Sequence, residues 1–135
     1  MQLFLDSDIL LDAVLFRAPF HLPAMKLLSL TAKIDYKFCT SVHSILNVYY
    51  FASKQSGKDQ GRQATKILMK KLEIIQEDQE ILEQALDSDF GDIEDAVQYF
   101  AAKKQHVNFI ITRNIKDYKN SSIEVLSAEH FLKTI

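Results

Sequence analysis

The alternation of strand-like and helix-like segments along 135 residues predicts one α/β domain, residues 1–135, with a central parallel sheet of four to five strands covered by helices on both faces. Two observations carry that expectation. Short apolar runs (QLFL, KFCT, LEII, NFIIT and IEVL) end at polar residues, as buried strands with polar carboxyl ends do. Between them lie longer segments whose apolar residues recur at helical spacing.

The elements follow in order. After QLFL, residues 8–15 read as a short helix and, past the breaks at Pro19 and Pro23, residues 24–32 as a second. KFCT is a strand. Residues 41–52 carry apolar side chains at 42, 45, 46, 49 and 50, a helical pattern, and a further helix is expected after the QSGKDQG break. LEII is a third strand, followed by a helix opened by Asp78 as its cap. Residues 92–104 form the most strongly patterned helix, with Ile93, Val97, Phe100 and Ala101 on one side. NFIIT and IEVL supply the last strands, and Ser127 caps a terminal helix. No linker, repeat or low-complexity tract divides the chain.

Composition excludes several classes. Cys39 is the single cysteine, so an intramolecular disulfide and a thiolate zinc cluster are ruled out, and His21, His43, His106 and His130 are too dispersed for a local ligand pair. No basic leader precedes an apolar run, and no apolar stretch approaches the roughly 20 residues that cross a bilayer, so a soluble, cytoplasmic protein without membrane contact is expected. The net charge of −2 hides a strong segregation. Lys58, Arg62, Lys66 and Lys70 recur at every fourth position, which on a helix makes a basic stripe about 18 Å long. Residues 73–95 hold ten of the eighteen acids and no basic residue.

Chemistry is expected where acids meet the ends of strands. In open α/β sheets ligands bind beyond the carboxyl ends of the strands, where the strand order reverses. Asp6 ends the first strand, Asn114 and Asp117 follow the fourth, and Asp92 and Asp95 open a helix on the side of Tyr99. If the first and fourth strands are neighbours, these acids converge and repel one another unless a divalent cation neutralises them. Oxygen-only ligands select magnesium or manganese, and the corresponding chemistry is phosphodiester hydrolysis by a metal-activated water. Each acid also has a structural reading. Asp6 or Asp8 can cap a helix, Asp92 and Asp95 can serve a cap and a helix dipole, Asp12 can be solvated or ion-paired, and the basic stripe can be a solvated face.

The same residues support a resemblance. Asp6-Ser7-Asp8 followed by an apolar helix, Asp92-Ile93-Glu94-Asp95-Ala96-Val97-Gln98, and Thr112-Arg113-Asn114 followed by Asp117-Tyr118 resemble, over essentially the whole chain, the PIN-domain family of small metal-dependent ribonucleases, which includes VapC-type toxins of toxin–antitoxin pairs. The resemblance implies a three-layer α/β/α fold with its reversal between the first and fourth strands. It implies a metal-dependent endoribonuclease, with Asp6, Asp95 and Asp92 catalytic and Asp6, Asp95, Asp92, Asn114 and Asp117 holding Mg2+ or Mn2+ directly or through water. Ser7, Asp8 and Asn47 would stand behind those ligands, Asn47 where many members carry glutamate. Lys58, Arg62, Lys66 and Arg113 are expected to contact RNA. An antitoxin protein and a homodimer are the other partners implied.

Two alternatives remain open at this level. One is a catalytically weak module that only binds RNA or a partner. The other is a haloacid-dehalogenase-like phosphatase using Asp6 as nucleophile and Asp8 as acid/base, although position 10 is Leu where Thr or Val is usual and the chain is short for that family.

Overall fold

A computed structural model describes residues 1–135. Strands β1 (Gln2–Leu5), β2 (Lys37–Ser41), β3 (Glu73–Ile75), β4 (Phe109–Ile111) and β5 (Glu124–Leu126) form one wholly parallel sheet in the order β3-β2-β1-β4-β5. The chain adds β2 and β3 on one side of β1 and then returns to add β4 and β5 on the other. The order therefore reverses between β1 and β4, and the chain leaves those two paired strands toward opposite faces, α1 to one and the segment with Tyr118 to the other, which opens a crevice beyond their carboxyl ends.

Helices α1 (Ser7–Val14), α2 (His21–Ser29), α3 (Val42–Ser56), α4 (Lys58–Lys71), α5 (Gln79–Leu86), α6 (Ile93–Lys104) and α7 (Ala128–Leu132) cover the sheet. Successive strand residues point to opposite faces. Leu3, Leu5, Phe38 and Ile111 accordingly join α1, α2, α3, α4 and α7 in one apolar cluster, while Phe4, Cys39, Ile75 and Ile110 join α5 and α6 in another. These two clusters are the two interfaces of a three-layer α/β/α sandwich.

Several elements depart from their expected bounds or faces, each for a local reason. Pro23 does not precede α2 but lies in its first turn, where the missing N–H has no intrahelical partner to lose. Helix α3 runs to Ser56 and buries Ser44, Ile45, Val48 and Ala52, leaving Val42, Leu46 and Tyr50 exposed. The QSGKDQG segment is only partly a break. Gly57, at φ +93°, ends α3 in a conformation other residues avoid, and α4 begins at the next residue. Gly61 lies inside α4, where any side chain would collide with Ser53 of α3. In α6 the buried face is Ala96, Gln98, Tyr99, Ala101 and Ala102, and Ile93 is exposed; the alanines let the helix approach the sheet closely.

The basic stripe costs α4 stability. Lys58–Arg62, Arg62–Lys66 and Lys66–Lys70 are like-charge pairs one turn apart, each unfavourable by roughly 0.2–0.5 kcal/mol. Lys58 adds a cation at the positive end of the helix dipole, and Gly57 provides no side-chain cap. Burial of Gly61 and Leu68 holds the helix in place against this repulsion.

Candidate active site

The crevice between β1 and β4 is built around Asp6. Its backbone N–H donates to the Ile111 carbonyl at 3.0 Å, which locks the end of β1 to the end of β4. Its side chain caps α1 by accepting from the Ser7 N–H at 2.7 Å. Oδ2 also accepts from the hydroxyls of Thr112 at 3.0 Å and Tyr118 at 3.2 Å, and Oδ1 from Gln98 Nε2 at 3.3 Å. The carboxylate is only 4% exposed yet surrounded by neutral donors, with no cation on it. The cap and pocket roles left open by sequence thus coincide in this residue.

Gln98 is the hub behind Asp6. Its amide oxygen lies 2.8 Å from Ser44 Oγ and 3.2 Å from Ser41 Oγ, and its amide nitrogen reaches Tyr118 OH at 3.4 Å as well as Asp6. One buried amide therefore ties the start of α3 and the turn after β4 to the carboxylate. Burial and the Asp6 charge raise the Tyr118 phenol well above its ordinary pKa, so it remains a neutral donor.

Asp8 and Asp95 complete the acidic group. Asp8 Oδ2 accepts from the Arg113 N–H at 2.9 Å and lies 3.3 Å from Thr112 Oγ1, whereas Oδ1 is buried without a partner. Burial first and the Asp6 charge second push its pKa up to about 6. Asp95, half-buried on the first turn of α6, rises to about 7 through burial, then the charges of Asp6, Asp92, Asp117 and Glu94. Asp92 caps α6 by accepting the Asp95 N–H at 3.0 Å. Asn114 and Asp117 are exposed around the 3-10 turn Ile115–Tyr118 that follows β4.

The other expected residues stand elsewhere. Asp12 is buried and paired with Arg113, Nε to Oδ2 at 2.7 Å and Nη2 to Oδ1 at 3.0 Å. Arg113, expected to contact RNA, has its guanidinium held by that pair and 4.1 Å from the Phe20 ring. Ser7 contributes its backbone N–H to Asp6. The Asn47 amide lies 3.4 Å from His43, which pairs with Glu94 at 3.0 Å, so it bonds at the rim and not to Asp6. Lys58, Arg62 and Lys66 are exposed on α4, where Arg62 and Lys66 line a cleft that includes none of the crevice acids.

Sequence reading assigned no role to Thr112, Gln98 or Tyr118, although all three occur in the quoted motifs. Gln98 carries a usable signal, being a polar side chain on the alanine-rich face of a helix. No three His, Cys, Asp or Glu groups already close to metal-ligand spacing. The donor set nevertheless suits a hard divalent cation, since it consists of carboxylate oxygens, one of them a buried orphan, crowded enough to hold protons near neutrality.

A parallel α/β/α sandwich with a carboxylate-lined crevice at its strand-order reversal defines a class of small domains suited to metal-assisted chemistry. The chain belongs to the PIN domain family, whose model matches residues 2–116. It is 30% identical to Ribonuclease VapC1 of Aquifex aeolicus (strain VF5), over 96% of this chain and 92% of that protein. Among solved structures it is similar to a toxin–antitoxin complex from Klebsiella pneumoniae, with a TM-score of 0.69, 25% identity and coverage of 95% and 98% of the two chains. It also shares its fold with VapBC2 from Rickettsia felis bound to a promoter DNA fragment, with a TM-score of 0.67, 19% identity and coverage of 94% and 98%.

Proposed function

We propose that this protein is a metal-dependent endoribonuclease that hydrolyses RNA phosphodiester bonds and acts as the toxin of a toxin–antitoxin pair. The observation that carries this reading is the grouping of Asp6, Asp8 and Asp95 at the β1/β4 crevice, near enough for the Asp6 charge to raise the proton affinity of the other two and with none of the three in a salt bridge. The ribonuclease relative and the toxin–antitoxin structures support the choice of RNA as substrate and of an antitoxin as partner. Exposed Phe16, Phe20 and Leu22 beside α1, and Val42, Leu46 and Tyr50 on α3, offer apolar surface for the antitoxin and for the expected homodimer.

In this reading Asp6 and Asp95 hold the ion, with Asp92, Asn114 and Asp117 around it. A bound Mg2+ or Mn2+ supplies an activated water and neutralises phosphate charge. The protein's own part is orientation. Thr112, Tyr118 and Gln98 fix the Asp6 carboxylate without neutralising it, and Gln98 passes that constraint to α3. The Arg113–Asp12 pair anchors the segment whose N–H holds Asp8.

No observation favours the phosphatase alternative, in which Asp8 must exchange a proton with substrate. Its Oδ2 is taken up by Arg113 and Thr112, and its Oδ1 is buried. The test is RNA cleavage with Mg2+ or Mn2+ by the wild type, Asp6→Asn and Asp95→Asn. Loss of cleavage in folded variants is expected; full activity in both would overturn the reading.

A further inference from the structure

The exposed face of α4 lies outside the acidic crevice, and the chemistry above makes no use of it. Lys58, Arg62, Lys66 and Lys70 follow one another at one-turn spacing, so their charges form a line about 18 Å long. None of the four ion pairs in the molecule involves any of them. Arg62, Lys66 and Lys70 border a cleft of about 500 Å³ in which Ile67 is the only apolar lining residue. Asp59, which lines the same cleft, is the one acid on α4 and makes no ion pair with any of the four cations, although Asp78 and Lys104 do pair at 3.1 Å elsewhere on the surface. A ladder of unpaired cations with almost no apolar centre is poorly suited to a protein partner, whose interface needs an apolar core. It suits a polyanion whose charge repeats along its length.

We propose that this face of α4 binds the phosphodiester backbone of RNA, as a sequence-independent contact separate from the crevice. The proposal rests on the ribonuclease reading for its choice of RNA over other polyanions. A contact of this kind reads backbone charge only, so it lengthens the bound segment and leaves base preference to the crevice.

Binding in the absence of divalent metal tests it independently of catalysis. Fluorescence anisotropy with single-stranded RNA of about twenty nucleotides, titrated between about 50 and 200 mM salt, compares the full chain with a variant carrying Gln at all four positions. Four lost phosphate contacts predict a plot of log K against log salt shallower by about 3, at about 0.7 per charge, and a Kd raised at least about tenfold at the lower salt. The double variant Lys66→Gln/Lys70→Gln should show about half the slope change. A far-ultraviolet spectrum and a melting temperature no lower than wild type establish that the variants fold, as removing repulsion predicts. Unchanged Kd and slope in the folded fourfold variant would overturn the proposal. So would unchanged RNA binding together with lost binding of a poly-glutamate peptide, which would mark a protein-docking face. If the wild type cleaves no RNA but the slope change appears, the catalytic reading fails and this one stands.

Discussion

Around Asp95 the charges of Asp6, Asp92, Asp117 and Glu94 add up in a half-buried crevice, whereas along α4 four cations stand in open solvent. Both regions crowd like charges, but water screens the second and not the first. The crevice responds by holding protons near neutral pH, and the helix tolerates its repulsion at a small cost. Asp12 provides the control within the same chain. It is as buried as Asp6, yet it is neutralised by Arg113 and has nothing left to offer a ligand. Asp12 is held by a protein cation, whereas Asp6 is held only by neutral donors.

The largest effect that should separate these regions is on activity. Asp6→Asn should lower single-turnover RNA cleavage by at least about 10³, roughly 4 kcal/mol of transition-state stabilisation. Its melting temperature should not fall, because the Thr112 and Tyr118 hydroxyls can turn to accept from the new amide while repulsion with Asp8 and Asp95 disappears. Asp12→Ala should do the reverse. Leaving Arg113 unpaired should cost about 3 kcal/mol, somewhat moderated because its side chain is 30% exposed, and should lower the melting temperature by roughly 10 °C.

Metal should distinguish the crevice from every other acidic cluster. At a Mg2+ concentration about 100 times its Kd, thermal unfolding should show about 2.7 kcal/mol of stabilisation, and Asp95→Asn should abolish most of it. The pH dependence has a defined sign. Asp8 and Asp95 bind protons more tightly folded, at about 6 and about 7, than at the ordinary value of 3.8. In chelator their contribution is intact below about pH 4, is lost as pH rises through 6 and 7, and stays lost above. The gain from Mg2+ should grow over that same window, since the ion competes with those protons. A gain that is flat with pH would separate the metal site from these two acids.

Smaller effects sharpen the comparison. Gln98→Leu should cost about 1–3 kcal/mol by leaving the buried Ser44 hydroxyl without its acceptor and Ser41 with only Ser44, and should reduce cleavage by loosening Asp6. On α4, Lys66→Gln should raise stability by about 0.4–1 kcal/mol through relief of two like-charge pairs, which urea unfolding can resolve against a precise reference.

Elements with local causes were legible in the sequence. Asp78, Asp92 and Ser127 cap their helices as expected, accepting from the N–H groups of Ile81, Asp95 and His130 at 3.0, 3.0 and 3.1 Å. The faces were less legible. Of the apolar positions 42, 45, 46, 49 and 50 that marked α3, Ile45 is buried and Tyr49 half-buried, but Val42, Leu46 and Tyr50 are exposed, while Ser44 and Val48 pack inward. Periodicity counts apolar residues, but burial follows which side the neighbouring sheet occupies. Gln98 was hidden by the same rule, since a polar residue carries no weight in an apolar pattern.

By itself the sequence determined the alternation of strands and helices, the caps, the segregation of charge, and the placing of acids at element ends. These depend on residues within a few positions of one another, where propensity, hydrogen-bond reach and helical spacing act directly. Only the tertiary structure decided which of Asp6, Asp8 and Asp12 is neutralised, because the deciding partner, Arg113, lies about a hundred positions away and is delivered by the parallel pairing of β1 with β4. The same pairing turned Thr112, Gln98 and Tyr118 into donors for one carboxylate. Burial then set the proton affinity of the crevice, a property of the assembled dielectric surroundings that no local segment carries.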